Sequence, residues 1–344
     1  DLVDEIVPGS RFDEVVAGRL AEFAAVSDRP ADATGITLSY LERRDAEDSI
    51  TYPYLRIEID RELRTARLLM EGPKATPPPD APAVVAQGDS FWPLALTRAL
   101  DDALLHLRMN EPELATLIFT TEGDPDLVAD YDSFLLDHSD HWLVREVILY
   151  IKRTFKRIDV TSRTTLALVE PGGCFVGFLA EPVFASDRSY MLEGPVDPPE
   201  AEPRIRLTKM NLGPLPMGNG LTRLATRFWG RDEALEAVAG LVGKDLDATE
   251  AEAAGLVTFA LDEIDWDDEI RILLEERASF SPDSLTGMEA NLRFVGPETV
   301  ETKIFGRLSA WQNWVFQRPN ASGERGALRS YGTGQRPEFN RERV

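Results

Sequence analysis

The chain has 344 residues, 43% of them hydrophobic and 28% charged, which is enough apolar content for a packed core and too much for intrinsic disorder. With 37 basic against 60 acidic residues the net charge is −23; this argues against a duplex nucleic-acid binder, which needs a basic face to displace counterions, and equally disfavours an anionic membrane surface. No apolar run approaches the ~20 residues that span a bilayer, and the single cysteine, Cys174, excludes internal disulfides and cysteine-based zinc sites.

In chain order, Phe12, Val15, Val16, Leu20 and Phe23 recur at helical spacing and predict a helix over 11–26. Turn-forming residues follow (Ser27, Asp28, Pro30, Gly35), so 29–50 reads as a linker. Residues 54–59 alternate with period two and 66–70 resume the pattern, which predicts a hairpin. Pro73, Pro77, Pro78, Pro79 and Pro82 predict an extended loop over 73–88. Leu96, Leu100, Leu104 and Leu107 mark a helix, and 116–120 a buried strand. Residues 125–158 read as helical, with Trp142, Val144, Val147 and Ile151 inward. A second buried strand is expected at 165–169, a helix at 175–186, and short strands at 189–192 and 205–207. Helices then dominate: 220–229, 232–242, 249–254, 266–278, 282–293 and 298–316. The tail from Pro319 has little apolar content and is expected to lie on another surface or to be loose. Strands alternating with helices predict βαβ units and a parallel core. The helix-only end predicts a packing or assembly module.

The chain also echoes itself. Leu2-Val3, Asp13, Leu20, Glu22, Ala24 and Ser27 fall on Leu256-Val257, Asp267, Leu274, Glu276, Ala278 and Ser281 at one offset, 254 residues. Both copies read as a short strand, a loop and an amphipathic helix. Two unrelated strand–helix units would give the same pattern, but the period is that of a whole domain. Together with a start at Asp1 rather than Met, the echo predicts that residues 1–28 are the tail of a preceding domain copy. Residues 51–280 would then be a second copy, followed by a helical packing region and tail over 281–344.

Several constellations bear on chemistry. His138 and His141 at i, i+3 beside Asp137 and Asp140 suggest a metal pair on one helical face, but the only other histidine is His106, and a polar helix face explains them as well. Cys174 follows Pro171-Gly172-Gly173 and precedes an expected helix, a place that lowers a thiol pKa; a small core residue is the plainer reading. The acidic run 262–269 lacks the glycine and spacing of a calcium loop and reads as a capped helix start. Gly218-Asn219-Gly220 opens a helix but lacks the lysine and third glycine of a phosphate loop. Basic residues cluster only at Lys152-Arg153 and Lys156-Arg157, which also suit a solvated helix face. The segment from Val169 to Met191 is more pointed: strand, glycine turn, helix carrying Glu181, then Asp187 before another strand. Amides at such a turn stabilise an oxyanion and the carboxylate moves protons; a plain crossover with a solvated Glu is the alternative.

On Gly177-Phe178-Leu179-Ala180-Glu181-Pro182-Val183, Asp187-Arg188 and the later 248–257 (ATEAEAAGLV), the chain resembles the crotonase (enoyl-CoA hydratase/isomerase) superfamily. Residues 2–8 resemble the same point of a preceding copy. The pieces 281–294 (SPDSLTGMEANLRF), 301–320 (ETKIFGRLSAWQNWVFQRPN) and the closing 339–344 resemble, within that superfamily, a branch of two-copy ring-cleaving lyases of aerobic benzoate breakdown. The resemblance implies an α/β fold of ClpP/crotonase type, a ββα-superhelix with additional C-terminal helices. It implies an acyl-CoA substrate, 2,3-epoxybenzoyl-CoA opened with release of formate, and no metal or redox cofactor. It further implies an upstream crotonase-like half in the same polypeptide, a homodimer and a cytoplasmic setting, with neither nucleic acid nor membrane as partner.

Site residues carry over with departures. One oxyanion donor of the family lies in an Ala-Gly-Ala-Asp-like loop, where this chain has Thr121-Glu122-Gly123-Asp124-Pro125; the other lies in a triple glycine, of which Gly177 alone remains. Glu181 stands where one acid/base Glu stands, and Lys209 replaces the second, so that a structural Lys209–Glu181 ion pair is expected. The site therefore reads as vestigial, with Glu181 and Gly177 its best remaining candidates. Two alternatives stay open: a competent acyl-CoA enzyme working through Glu181, and a non-enzymatic assembly protein.

Overall fold

The computed structural model describes residues 2–28, 34–194 and 202–343. It divides into two compact units, Asp1–Thr37 and Leu38–Val344. In the first, a 3₁₀ turn at Gly9–Arg11 leads into α1 (Phe12–Ala25), whose Arg19 pairs with Glu5 and Glu22 at 2.8 Å each. Its apolar residues Phe12, Leu20 and Phe23 are exposed.

The second unit is built on an eight-stranded sheet that begins inside the expected linker. β1 (Arg44–Asp45) and β2 (Ser49–Tyr52) pair antiparallel, and β2 pairs with β3 (Leu55–Asp60). The linker reading over 29–50 is corrected accordingly: it contains β1 and the start of β2, where Ile50 is a buried strand residue, a period-two signal too short to see in sequence; residues 29–33 lie outside the described part. β3 and β4 (Thr65–Glu71) form the expected hairpin, Leu55 opposite Met70 and Ile57 opposite Leu68. From β4 onward the sheet is parallel through β5 (Thr116–Glu122), β6 (Thr164–Val169), β8 (Arg188–Glu193) and β11 (Phe259–Asp262). β6 is buried along its whole length, as a central parallel strand must be. A second sheet joins β7 (Phe175–Val176), β9 (Ile205–Arg206) and β10 (Asp245–Leu246).

The helices between these strands are set by local chemistry. α2 (Ala81–Gln87) forms inside the expected extended loop because Asp80 caps it by accepting from the Ala83 amide, with Pro82 in its first turn. α3 (Trp92–Asn110) carries the leucine stripe. The 125–158 stretch breaks into α4 (Pro125–Asp137), capped by Asp124, and α5 (Trp142–Asp159). α6 is short (Glu181–Ala185), and the expected helix over 175–186 is instead β7, a 3₁₀ turn at Gly177–Ala180 and α6. α7 (Arg223–Arg227), α8 (Asp232–Ala239) and α9 (Ala248–Ala253) follow. α10 (Glu263–Ser279) begins at Asp262, whose carboxylate accepts from the Ile264 and Asp265 amides; the acidic run is a capped helix start. Ile270, Leu273 and Leu274 of α10 pack on Ile118, Leu166, Leu168 and Tyr190, closing one side of the sheet. α11 (Pro282–Arg293) and a π-wound stretch at Thr302–Leu308 lead into α12 (Ser309–Gln317), and α13 (Pro319–Ser322) and α14 (Ala327–Ser330) complete the chain.

The tail is not loose. Asn340 donates its amide to Asn320 Oδ1 at 2.8 Å, and Arg343, 4% exposed, donates to Ser162 O at 2.7 Å and Glu289 Oε2 at 2.9 Å. Polar side chains, rather than the apolar content that sequence reading weighs, hold it down.

Candidate functional site

The site of interest lies where β6 ends and the chain turns through Cys174 and β7 into Gly177 and α6. Gly177 has φ +51°, and a Cβ there would sit 1.6 Å from Asp132 Oδ2, so both the backbone and the space require glycine. Asp132 projects from α4 into the core with no exposed surface. Its Oδ2 accepts from the Phe178 amide at 3.1 Å and from the Thr208 hydroxyl at 2.5 Å, while Oδ1 has no hydrogen-bond partner among the described residues. Burial pushes its pKa up to about 7, against the hydrogen bonds from Thr208 and Phe178. The Phe178 ring packs into an aromatic cluster with Trp92 and Phe155, at centroid distances of 5.3 and 6.4 Å.

One turn on, Glu181 is 1% exposed. Its Oε1 accepts from Asn211 Nδ2 at 2.7 Å, and its Oε2 from an Arg223 guanidinium nitrogen at 2.6 Å. Arg223 grips Asp159 with two further bonds of 2.9 and 2.8 Å, and Asn211 also donates to Gly177 O at 2.8 Å. Burial raises the Glu181 pKa against the pull of Arg223 and Asn211. The carboxylate is therefore saturated, dry and part of a buried Glu181–Arg223–Asp159 triad. Such a group holds elements together; moving a proton to a ligand would require breaking the triad first.

The expected partner, Lys209, is not there. Lys209 is exposed at the start of a 3₁₀ turn capped by Thr208, and it is Asn211, two residues later, that faces inward. The cation reaches Glu181 from α7 instead, through a sequence-distant arginine that pairing by motif position could not reveal.

The loop 121–125 follows the same pattern of internal satisfaction. The Gly123 amide donates to Gly172 O at 3.1 Å, the Gly72 amide to Glu122 O at 2.8 Å, and the Cys174 amide to Thr121 Oγ1 at 2.9 Å. Amides in both segments that the superfamily resemblance marks for an oxyanion are thus engaged within the protein.

The remaining candidates resolve simply. His138 and His141 flank the break between α4 and α5 rather than sharing a helical face, and His106 lies elsewhere, bonded to Arg43 and Asn110. No group of three metal-ligating side chains occurs among the described residues. Cys174 is buried, which pushes its thiol up to about 12 and leaves it a core residue. Asn219 caps its own turn by accepting from the Leu221 amide, and α7 beyond it is only five residues long. Arg157 pairs with Asp101, and Arg153 lies over the Tyr150 ring, so the basic cluster belongs to the face of α5. Among the described residues no helix is long and apolar enough to cross a membrane.

Comparison with known proteins fits this architecture. No protein-family model matches the chain. Benzoyl-CoA-dihydrodiol lyase of Aromatoleum evansii is 46% identical over 343 residues, 100% of this chain and 61% of that protein, so the chain spans about three fifths of the length of this curated relative. Among solved structures, the enoyl-CoA hydratase of Geobacillus kaustophilus HTA426 matches with TM-score 0.62 at 18% identity, over 85% of this chain and 98% of that one. The enoyl-CoA hydratase of Bacillus anthracis matches with TM-score 0.54 at 16% identity, over 86% and 100%. The chain has the crotonase fold.

Proposed function

From the premise that this crotonase-fold chain is similar to benzoyl-CoA-dihydrodiol lyase along its whole length, we propose that it is the scaffold portion of a lyase acting on an aromatic acyl-CoA thioester, with a vestigial site of its own. The intact enzyme would open 2,3-epoxybenzoyl-CoA without calling on a metal or redox cofactor. Its catalytic groups would belong to an upstream crotonase-like copy in the same polypeptide, of which residues 1–28 would be the tail. One observation carries the reading: Glu181 is buried with both oxygens taken by Arg223 and Asn211, while Asp132 holds the Phe178 amide beside it. Neither the base nor that amide is available to a thioester. Residues 281–344 would serve packing and assembly of a cytoplasmic homodimer; exposed Phe305, Leu308 and Phe316 support an apolar contact of that kind.

The test is calorimetric titration of the chain with benzoyl-CoA. No saturable binding is expected, and saturable binding whose turnover is lost in Glu181→Gln would replace this reading with a competent acyl-CoA enzyme. Reading the gene upstream of Asp1 decides the architecture: a frame carrying an Ala-Gly-Ala-Asp-like loop and a triple glycine is expected. A start codon there would favour a free-standing assembly protein.

A further inference from the structure

At the end of the parallel strands opposite the turn 170–173 lies a cavity of about 470 Å³, walled by the start of β8, α7, α10 and α11. Its volume is that of a small-molecule site. Five arginines face it against three carboxylates. The acids are all engaged: Asp159 by Arg223, Asp187 by Arg293 and the Thr165 amide, Glu289 by Arg343 and Thr164. Among the described residues, two of the arginines have no acid partner. Among the described residues the Arg227 side chain donates only through Nε, to Gly255 O at 2.6 Å, and the Arg188 side chain makes no hydrogen bond or ion pair, its guanidinium lying 6.0 Å from the Phe259 ring centroid.

Beside Arg227 stands Thr226, 8% exposed, with a hydroxyl that has no hydrogen-bond partner among the described residues. A dry hydroxyl and an unneutralised guanidinium both carry a desolvation cost that an anionic acceptor would relieve. Burial and the neighbouring Arg231 both disfavour the Arg227 charge, which sharpens that demand. The rest of the wall includes Met217, Met288, Leu292 and Val295. In a chain of net charge −23, a cavity lined both by surplus guanidinium and by thioether and aliphatic groups is a selective environment.

We propose that this cavity binds a small organic carboxylate with an apolar body. Arg227 and Thr226 take the carboxylate, Arg188 adds charge at the rim, and the methionine and aliphatic wall takes the body. The apolar wall is what sets such a ligand above an inorganic anion. Glu181 does not line the cavity, whereas its triad partners Arg223 and Asp159 do; the ligand is taken by Arg227 and Thr226, which lie outside the triad.

Benzoate is the probe, titrated into the whole chain and followed by calorimetry and thermal unfolding, with saturation expected at a dissociation constant of about 1 mM or below. Arg227→Met and Thr226→Val should each weaken it about tenfold, roughly 1.4 kcal/mol. Benzamide, uncharged and of the same shape, and inorganic phosphate, charged but without the body, should bind at least about tenfold more weakly. Should circular dichroism show Arg227→Met unfolded, Arg188→Met carries the test. No saturation up to about 10 mM, binding unchanged in the folded arginine variants, or benzamide or phosphate matching benzoate would each overturn the proposal.

Discussion

Glu181, Arg223 and Asp159 are each at most 2% exposed, and their worth depends on all three being present. Arg223→Met leaves two carboxylates dry and unpaired, and is expected to cost about 4 kcal/mol in urea unfolding. Glu181→Gln keeps the shape and leaves Arg223 with Asp159, so about 2 kcal/mol is expected, and the order of the two variants is the check. Asp132 gives a pH signature. Its pKa is about 7 in the fold against 3.8 unperturbed, so between those values the folded chain keeps a proton that the unfolded chain has lost. Stability contributed by this group therefore falls as pH rises from about 4 to 7, at up to about 1.4 kcal/mol per pH unit. Asp132→Asn, which still accepts from Phe178 and Thr208, should flatten that slope and exceed the parent in stability at pH 8; parallel slopes in urea melts would show that Asp132 does not titrate there.

At the scale of elements, the 3₁₀ turn before α6 exists because glycine lets α4 deliver a carboxylate onto it. Gly177→Ala meets both positive φ and Asp132 Oδ2, and a loss of about 3 kcal/mol is expected. Removing the obstructing carboxylate should recover part of it, so the double variant Gly177→Ala, Asp132→Ala is predicted to be less damaged than the sum of the two single variants. Strict additivity would mean that the two residues do not meet. A signal for this element lay unread in the sequence, as interrupted periodicity. Asp132 breaks the α4 stripe of Val128, Tyr131 and Leu135, and Asp159 follows Ile151 and Phe155 at steps of four on α5. An acid on an apolar face signals a buried partner. Nothing in the spacing says which group answers it: an amide and a hydroxyl for Asp132, an arginine for Asp159.

For the whole molecule, the C-terminal segment acts as a strap. Arg343 supplies Glu289 with a bond at 2.9 Å and joins Ser162 O, while its amide reaches Pro112 O at 2.8 Å. Deleting residues 339–344 removes a cation from a buried acid and should cost about 3 kcal/mol, read as a lowered thermal midpoint with secondary structure retained. An unchanged midpoint would mean that the strap contributes nothing.

Legible in the sequence were the hairpin at 54–70, the buried strands at 116–120 and 165–169, the leucine-striped helix, the capped helix start in the acidic run 262–269 and, through the superfamily resemblance, the crotonase-type fold. Each rests on periodicity, capping or a motif, which are local and survive in one dimension. It takes the packed molecule to show that strands begin at Arg44, that Arg223 rather than Lys209 meets Glu181, that Asp132 occupies the turn at Gly177, and that the tail is pinned. Those pairings join residues 42, 46 and 181 positions apart. Burial, and with it the strength of a charge or a hydrogen bond, is fixed by which distant elements close around a group, and no spacing along the chain records that.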